Sequence, residues 1–336
     1  MRAITVRQPE PGQTDELGRP LRPGPEALVV DQQPTPIPGP GEVLVKTVAA
    51  GINRADLLQR QGLYPPPPDT TDVIGLEAAG IVEQVGPGVT EWQPSDEVVA
   101  LLSGGGYAEY FVAPAGQLVA PPEGTDLVTA ATLLEVAATV VSNMDLVQLS
   151  PGETFLVHGG AGGIGTFAIQ YAKALGCRVA TTAGTDDKRA FCRDLGADIA
   201  LDYHGDWVAG LRHATDDHGA DVILDIMGAK YLGPNIDVLA ADGRLVIIGM
   251  QGGVKGELNI GKLLNKRGLV TATSLRFRDS AQKSAIAARV AESVWPLVEN
   301  GTITPAPIER FAFEDAAAAH ARLASGEVTG KLVLTF

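Results

Sequence analysis

The chain reads as an α/β protein in two parts: a doubly wound parallel sheet and a β-barrel-like domain. Three observations predict this. First, the apolar run Phe155 to Val157 leads into residues 159–165, five of which are glycine, and then into Thr166–Leu175 with apolar residues at helical spacing. Gly160, Gly162 and Gly165 fit G-x-G-x-x-G between a strand and a helix, the arrangement that admits a pyrophosphate against the main chain. Second, strand and helix patterns alternate after it: strands 178–183, 198–201, 221–226, 244–249 and 268–275, helices 186–195, 205–214 and 230–240. That alternation predicts a parallel sheet with crossover helices. Third, residues 1–131 are rich in alternating strands and Pro/Gly turns, and β character returns after Gly301 and closes on Gly330–Phe336.

Length supports two domains: 336 residues exceed the usual single-domain range. The predicted division is residues 1–131 with 280–336, and 132–279, the second inserted into the first. Composition is that of a soluble globular chain, 45% hydrophobic with net charge −14. That charge argues against nucleic acid or an anionic membrane as the main partner. No apolar run reaches the roughly 18 residues of a membrane span, and a secretory leader pattern is absent. Cys177 and Cys192 are the only cysteines. They exclude a disulfide framework and a four-cysteine zinc site, and they fit a reducing, cytoplasmic setting.

In the first part, Met1–Val6, Ala27–Asp31, Glu42–Ala50, Ile74–Val85, Glu97–Leu102 and Tyr107–Val112 read as strands. Residues 8–25 read as an exposed loop or hairpin. A short helix opens near Asn53, and Pro65–Pro68 stiffen the segment that carries Tyr64. Residues 127–148 and 281–300 read as helices.

The glycine loop (Gly160, Ala161, Gly162, Gly163, Ile164, Gly165) predicts a dinucleotide site. An NAD site places a carboxylate on the ribose about 20 residues further on. Here the corresponding strand ends Thr181-Thr-Ala-Gly-Thr185, without one. Gly184, Thr185 and Lys188 instead suit a 2′-phosphate, so the cofactor reads as NADPH. The bland alternative makes Lys188 and Arg189 a solvated helix face beside Asp186 and Asp187.

Together these segments resemble the medium-chain dehydrogenase/reductase superfamily, and within it the zinc-independent quinone oxidoreductases related to zeta-crystallin. The stretches that carry the resemblance are Ile52-Asn-Arg-Ala-Asp-Leu-Leu-Gln-Arg-Gln-Gly-Leu-Tyr-Pro-Pro-Pro67, Ile74-Gly-Leu-Glu-Ala-Ala-Gly80, Leu101-Leu-Ser-Gly-Gly-Gly-Tyr-Ala-Glu-Tyr110, the glycine loop, Thr182-Ala-Gly-Thr185 and Lys262-Leu-Leu-Asn-Lys-Arg-Gly268. The resemblance implies a GroES-like β-barrel catalytic domain and a Rossmann cofactor domain. The loop at 10–25 departs from the family's short hairpin. Zinc-dependent relatives carry a cysteine where this chain has Asn53 and Gly-His-Glu where it has Gly75-Leu-Glu77. Before residue 131 there is neither His nor Cys, so no metal is expected.

The resemblance also implies roles. Asn53 and Tyr64 would sit at the acceptor in a cleft between the domains. Asn53 would orient the acceptor carbonyl or the nicotinamide ribose; its alternative is a helix N-cap. Tyr64 would donate a hydrogen bond or stack on a flat ring; its alternative is loop packing. Asp56 would join the substrate site or pair with Arg54 or Arg60. Thr139 would lie by the nicotinamide, Tyr203 near the adenosine phosphate, and Gly249, Met250, Gln251, Leu275, Arg276 and Lys331 would complete the cofactor contacts. The expected activity is NADPH-dependent reduction of a quinone, with water supplying protons. The alternatives are reduction of an enone, alkenal or enoyl thioester, and a non-catalytic NADPH-binding redox sensor. A homodimer is expected by pairing of the strand near 244–249 or 269–275.

Overall fold

A computed structural model describes residues 1–10, 12–14 and 17–336. Part of the 8–25 loop therefore lies outside the described residues; within it, Thr14 and Pro20 form an isolated antiparallel bridge. The chain divides into two compact units. One comprises Met1–Ala138, Arg276–Glu299 and Pro307–Phe336, and the other Thr139–Leu275 with Asn300–Ala306.

The first unit is built on the strand Glu42–Ile52. Its N-terminal half pairs with Tyr110–Pro114 and its C-terminal end with Lys331–Thr335, while Glu77–Val85 runs along its other edge. Register shifts at Leu44/Val45 and Thr47/Ala49 bend the strand between these partners. Glu97–Leu101 and Leu118–Val119 extend the sheet on one side, Ile308–Ala312 on the other. Arg2–Val6 and Leu28–Gln32 form a separate two-stranded ribbon. Alternation places Val43, Val45, Ala50, Ile52, Val82, Val98, Phe111, Leu332 and Leu334 in one core with Tyr107 and Phe313.

The second unit is a six-stranded parallel sheet in the order Ile199–Asp202, Arg178–Ala183, Thr154–His158, Ala220–Asp225, Leu239–Ile247, Leu269–Ala272. The order reverses after the third strand in sequence, the fourth lying on the other side of Thr154–His158, so a crevice opens at the strand ends beside it. Thr154–His158 is buried throughout and reads as apolar because helices cover both faces of such a sheet.

Three sequence expectations shift. Residues 127–148 form two helices, Leu127–Ala130 and Leu134–Leu146. The break coincides with Thr132, whose hydroxyl donates to the Thr129 carbonyl at 2.8 Å in competition with the helix ladder. Residues 281–300 divide into Ser280–Ser293 and Trp295–Glu299, because Pro296 has no N–H and crowds the preceding turn. The strand Leu239–Ile247 is paired on both sides, which removes 244–249 as a subunit-pairing edge. Leu269–Ala272 is an edge strand, with Ile199–Asp202 at the opposite edge. Among the described residues no helix is long and apolar enough to cross a membrane.

His158 ends the first parallel strand, 1% exposed, between the rings of Trp207 and Tyr231. Its Nε2 faces Asn235 Oδ1 at 2.8 Å and its Nδ1 faces the Thr182 hydroxyl at 3.1 Å. Burial lowers its pKa to about 4, against a partial rise from the Asn235 bond. A folded value below the unfolded one gives stability that is present above pH 6.5 and lost as pH falls toward 4. The wild type should therefore lose roughly 3 kcal/mol over that window that a His158→Gln variant does not lose. Chemical denaturation of both proteins at several pH values measures the difference.

Candidate functional site

In the second unit, the predicted cofactor residues gather at the C-terminal ends of the parallel strands. Thr154–His158 runs into the glycine turn, and Gly162 caps the helix Gly163–Ala174. The glycines have distinct duties. A Cβ on Gly165 would lie 2.4 Å from the Gly159 carbonyl, and one on Gly160 would lie 2.2 Å from Thr181 Oγ1. Both are required for helix and strand to close together. A Cβ on Gly162 would meet nothing nearer than the Gly159 carbonyl at 3.5 Å. The protein's own packing therefore tolerates a side chain there, and its absence leaves the helix N-terminus bare for an anionic group. The fit to a dinucleotide rests on this cradle.

The second strand ends at Ala183, and the third carries Tyr203 just beyond its end. A Cβ on Gly184 would strike the Tyr203 hydroxyl at 2.4 Å. Gly184 thus lets the phenol lie across the strand tip, next to Thr185, whose hydroxyl accepts the Lys188 N–H at 3.2 Å. Arg189, its side chain 14% exposed, reaches Asp186, the Ala183 carbonyl at 3.5 Å and, at 3.4 Å, Asp202. Gly184, Thr185, Lys188 and Tyr203 are brought together, and Arg189 packs against the same strand tip. The turn Gly249–Met250–Gln251 packs over Ile226, whose carbonyl accepts the Gln251 N–H at 3.3 Å. Beneath it lies a residue the sequence did not single out. Asp225 is fully buried, its carboxylate accepting N–H bonds from Met227 (2.6 Å) and Gly228 (3.0 Å), and burial raises its pKa to about 6. Thr139 is 8% exposed, its carbonyl accepting from Asn143 Nδ2 at 2.7 Å. Leu275 closes this unit, whereas Arg276 and Lys331 fall in the first.

In the first unit, strand register assembles a polar group at Asn53. Ile52 stands opposite Leu332, and Ala50 opposite Ala78, so Asn53, Lys331 and Glu77 converge at neighbouring strand ends. A Cβ on Gly51 would lie 2.3 Å from Glu77 Oε1, so glycine is what admits the carboxylate. Lys331 Nζ donates to Glu77 Oε1 and to Asn53 Oδ1, both at 2.6 Å. Asn53 Nδ2 donates to the same Glu77 oxygen at 3.0 Å, and Glu77 Oε2 accepts the Glu135 N–H at 3.1 Å. An ammonium only donates and a carboxylate only accepts, so the orientation of the Asn53 amide is fixed chemically. Glu77 is 0% and Lys331 5% exposed. Lys331 is thus tied to a carboxylate within its own unit. Asn53 also occupies the N-cap position of Arg54–Arg60, as its helix-cap alternative expected.

Asp56 accepts the Asn53 N–H at 2.6 Å and the Tyr107 hydroxyl at 3.3 Å through Oδ2. Pairing with Arg60 does not occur. That guanidinium turns to the Pro23 carbonyl and to His320 Nδ1, each at 3.2 Å. Since Arg60 can only donate, neutral His320 holds its hydrogen on Nε2 and gives it to the Tyr107 oxygen, 3.1 Å away. A directed series of hydrogen bonds therefore runs from Arg60 through His320 and Tyr107 to Asp56. The lone histidine in the alanine-rich helix Ala316–Ala324 was the only sequence signal for it. Tyr64 is half-buried, its ring under the Arg276 guanidinium at 5.2 Å and edge-on to Phe277 at 5.6 Å.

Asp56 is wholly buried, and Oδ1 has no hydrogen-bond partner among the described residues. Burial raises its pKa to about 7, opposed by the Asn53 N–H and by Lys331. A raised folded value means stability that is present below pH 4 and lost as pH rises through 7. Asp56→Asn removes this penalty, so the variant should gain on the wild type by a few kcal/mol between pH 4 and 8. Paired melting curves across that range test the sign.

Residues 39–123 match the alcohol dehydrogenase GroES-like domain, and residues 163–291 match the domain named zinc-binding dehydrogenase. Among the described residues no group of three His, Cys, Asp or Glu side chains is placed to hold a metal ion. A quinone oxidoreductase of Pseudomonas aeruginosa is 37% identical over 318 residues, 93% of this chain and 96% of that protein. A 2-haloacrylate reductase from a Burkholderia species is 29% identical over 93% of this chain and 96% of its own length. The Escherichia coli quinone oxidoreductase solved in complex with NADPH superposes with a TM-score of 0.87 at 28% identity, each chain covered completely. The chain is therefore an oxidoreductase of the medium-chain dehydrogenase/reductase superfamily and belongs to its zinc-independent, quinone-oxidoreductase-like branch.

Proposed function

We propose that this protein reduces a quinone at the expense of NADPH. The observation that carries the reading is the Asn53 carboxamide. Its oxygen is held by Lys331 and one Nδ2 hydrogen by Glu77, which leaves the second hydrogen in a fixed direction for an acceptor carbonyl. A preoriented donor of this kind favours the negative charge that grows on that oxygen during reduction. Tyr64, steadied by Arg276 and Phe277, offers an aromatic face or hydroxyl to a planar acceptor.

NADPH, when bound, supplies the hydride equivalent. The pyrophosphate rests on the helix start at Gly162–Gly165, and the 2′-phosphate meets Thr185, Lys188 and Tyr203 at a strand tip with no carboxylate. Thr139, Gly249, Met250, Gln251 and Leu275 belong to the nicotinamide end of the same site. The similarity to quinone oxidoreductases across nearly the whole chain supports the acceptor. Reduction of an electron-poor alkene is the second reading, favoured by the similarity to the 2-haloacrylate reductase. The active species is proposed as a homodimer, joined along the Leu269–Ala272 edge where Ile260, Leu264 and Leu269 are exposed.

NADPH should bind at least tenfold more tightly than NADH, and Lys188→Ala should narrow that ratio. Equal affinities in the wild type would remove the 2′-phosphate subsite. Oxidation of NADPH followed at the nicotinamide absorbance should be fast with quinones and slow with linear enones; the reverse pattern makes this an alkene reductase. Tyr64→Phe should lower kcat or raise KM several-fold in the same assay. Light scattering should give twice the 34.9 kDa chain mass, and a charge introduced by Leu269→Lys should give the monomer.

A further inference from the structure

Three cations in the first unit, Arg60, Arg276 and Lys283, are buried without a carboxylate in contact, and the last two share a cavity. Arg276 is 3% exposed and Lys283 5%. Arg276 donates to the Ser103 carbonyl at 2.8 Å, the Tyr64 carbonyl at 3.0 Å and Gln59 Oε1 at 2.7 Å. Lys283 donates to the Ser103 hydroxyl. Every one of these acceptors is uncharged. A buried ammonium elsewhere in the same unit, Lys331, has Glu77. The acidic groups that act on the pair do so only through space: the Tyr64 phenol and then Asp56 on Arg276, and Asp279 on Lys283. Asp279 is already committed to the Gln282 N–H at the start of its helix. Buried charges of this kind are normally paired, because an uncompensated one is expensive to desolvate.

Both cations line a cavity of about 590 Å³, together with Ser103, Gly104, Gln117 and Phe277. Arg278 adds a third positive charge to the wall, against Glu42 and Asp69. Glu42 is engaged by the Gly39 N–H at 2.8 Å. A wall with this balance runs against the chain's overall charge of −14. A guanidinium carries five N–H donors and an ammonium three; three of the first and one of the second are used here.

We propose that Arg276, Lys283 and the Ser103 hydroxyl form a binding site for an oxyanion, a carboxylate or phosphate group carried by a small molecule. The planar fork of Arg276 suits two oxygens at once, and Lys283 adds a point charge. Because Arg276 also holds the Tyr64 carbonyl and covers its ring, a molecule anchored here by its charged end reaches Tyr64 with its body. That last step rests on the acceptor role given to Tyr64 above; the anion site does not.

Calorimetric titration with inorganic phosphate and, separately, with succinate, at constant ionic strength and with chloride as control, tests the site. At least one anion should bind with a Kd of low millimolar or tighter. Lys283→Met should weaken it at least tenfold, Lys283→Arg should restore it, and Ser103→Ala should weaken it several-fold with both cations kept. Without anion, Lys283→Met should melt no lower than the wild type, and the anion should raise only the wild-type Tm. Binding of phosphate alone assigns a phosphate-bearing ligand, and binding of succinate alone a carboxylate. Binding no stronger than chloride, or unchanged in Lys283→Met, overturns the proposal. So does loss of binding in Lys188→Ala in place of Lys283→Met, which would locate the anion at the cofactor's phosphate subsite. Because no turnover is measured, failure of the quinone assay leaves this result readable.

Discussion

The Glu77–Lys331 ion pair is the constraint around which the first unit is arranged. Two charges almost wholly removed from water are tolerable only if every donor and acceptor finds a partner. Glu77 meets this with the Lys331 ammonium, the Asn53 amide and the Glu135 backbone. The demand reaches into the backbone: Gly51 has no Cβ where the carboxylate lies, and the long strand bends so that residues near 52, 77 and 331 end together. Helix Arg54–Arg60 then starts at Asn53, and its first turn delivers Asp56 to Tyr107. Removing either charge would strand the other in a dry site, so this part of the unit is held as a set rather than by separate contacts.

The second unit follows a different principle. Its glycine turn is shaped by steric exclusion, with Gly165 and Gly160 closing helix and strands and Gly162 left open. Gly184 plays the matching part at the next strand, where Tyr203 occupies the place of a side chain. Charge enters late, at helix ends and one lysine. One unit is thus organised by satisfied polar burial and the other by absent side chains, and each leaves one kind of chemistry exposed: an oriented amide in the first, bare N–H groups in the second.

What the sequence made legible follows from this division. Steric motifs are local, so Gly160, Gly162, Gly165, Gly184 and Thr185 could be found by spacing, and the alternation of elements gave the parallel sheet with its strand order left to the structure. Asn53 and Tyr64 were found only through resemblance. The network behind them was invisible because its members are far apart: Asp56, Tyr107 and His320 meet through barrel closure, which no local pattern encodes. Lys331 was expected at the cofactor through the same resemblance, which carried no hint of Glu77. Arg276 was expected by resemblance at the cofactor, and nothing in the sequence singled out Lys283. Their significance lies in which acceptors surround them, and composition cannot show that. The helix boundaries at Thr132 and Pro296 were missed because apolar periodicity continues across both breaks.

The strand Lys331–Thr335 has a consequence for how the protein is made. It closes a unit whose other strands begin at residue 2, with the whole parallel sheet synthesised in between. On the ribosome the second unit can fold as soon as its own strands have emerged, while Glu77 waits, unneutralised, for an ammonium more than 250 residues downstream. The Asn53–Glu77–Lys331 group is therefore finished last. A chain stalled short of residue 331 would carry a folded glycine turn in one unit and, in the other, an open strand edge with Glu77 unpaired, a form that invites chaperone capture or strand addition from another molecule.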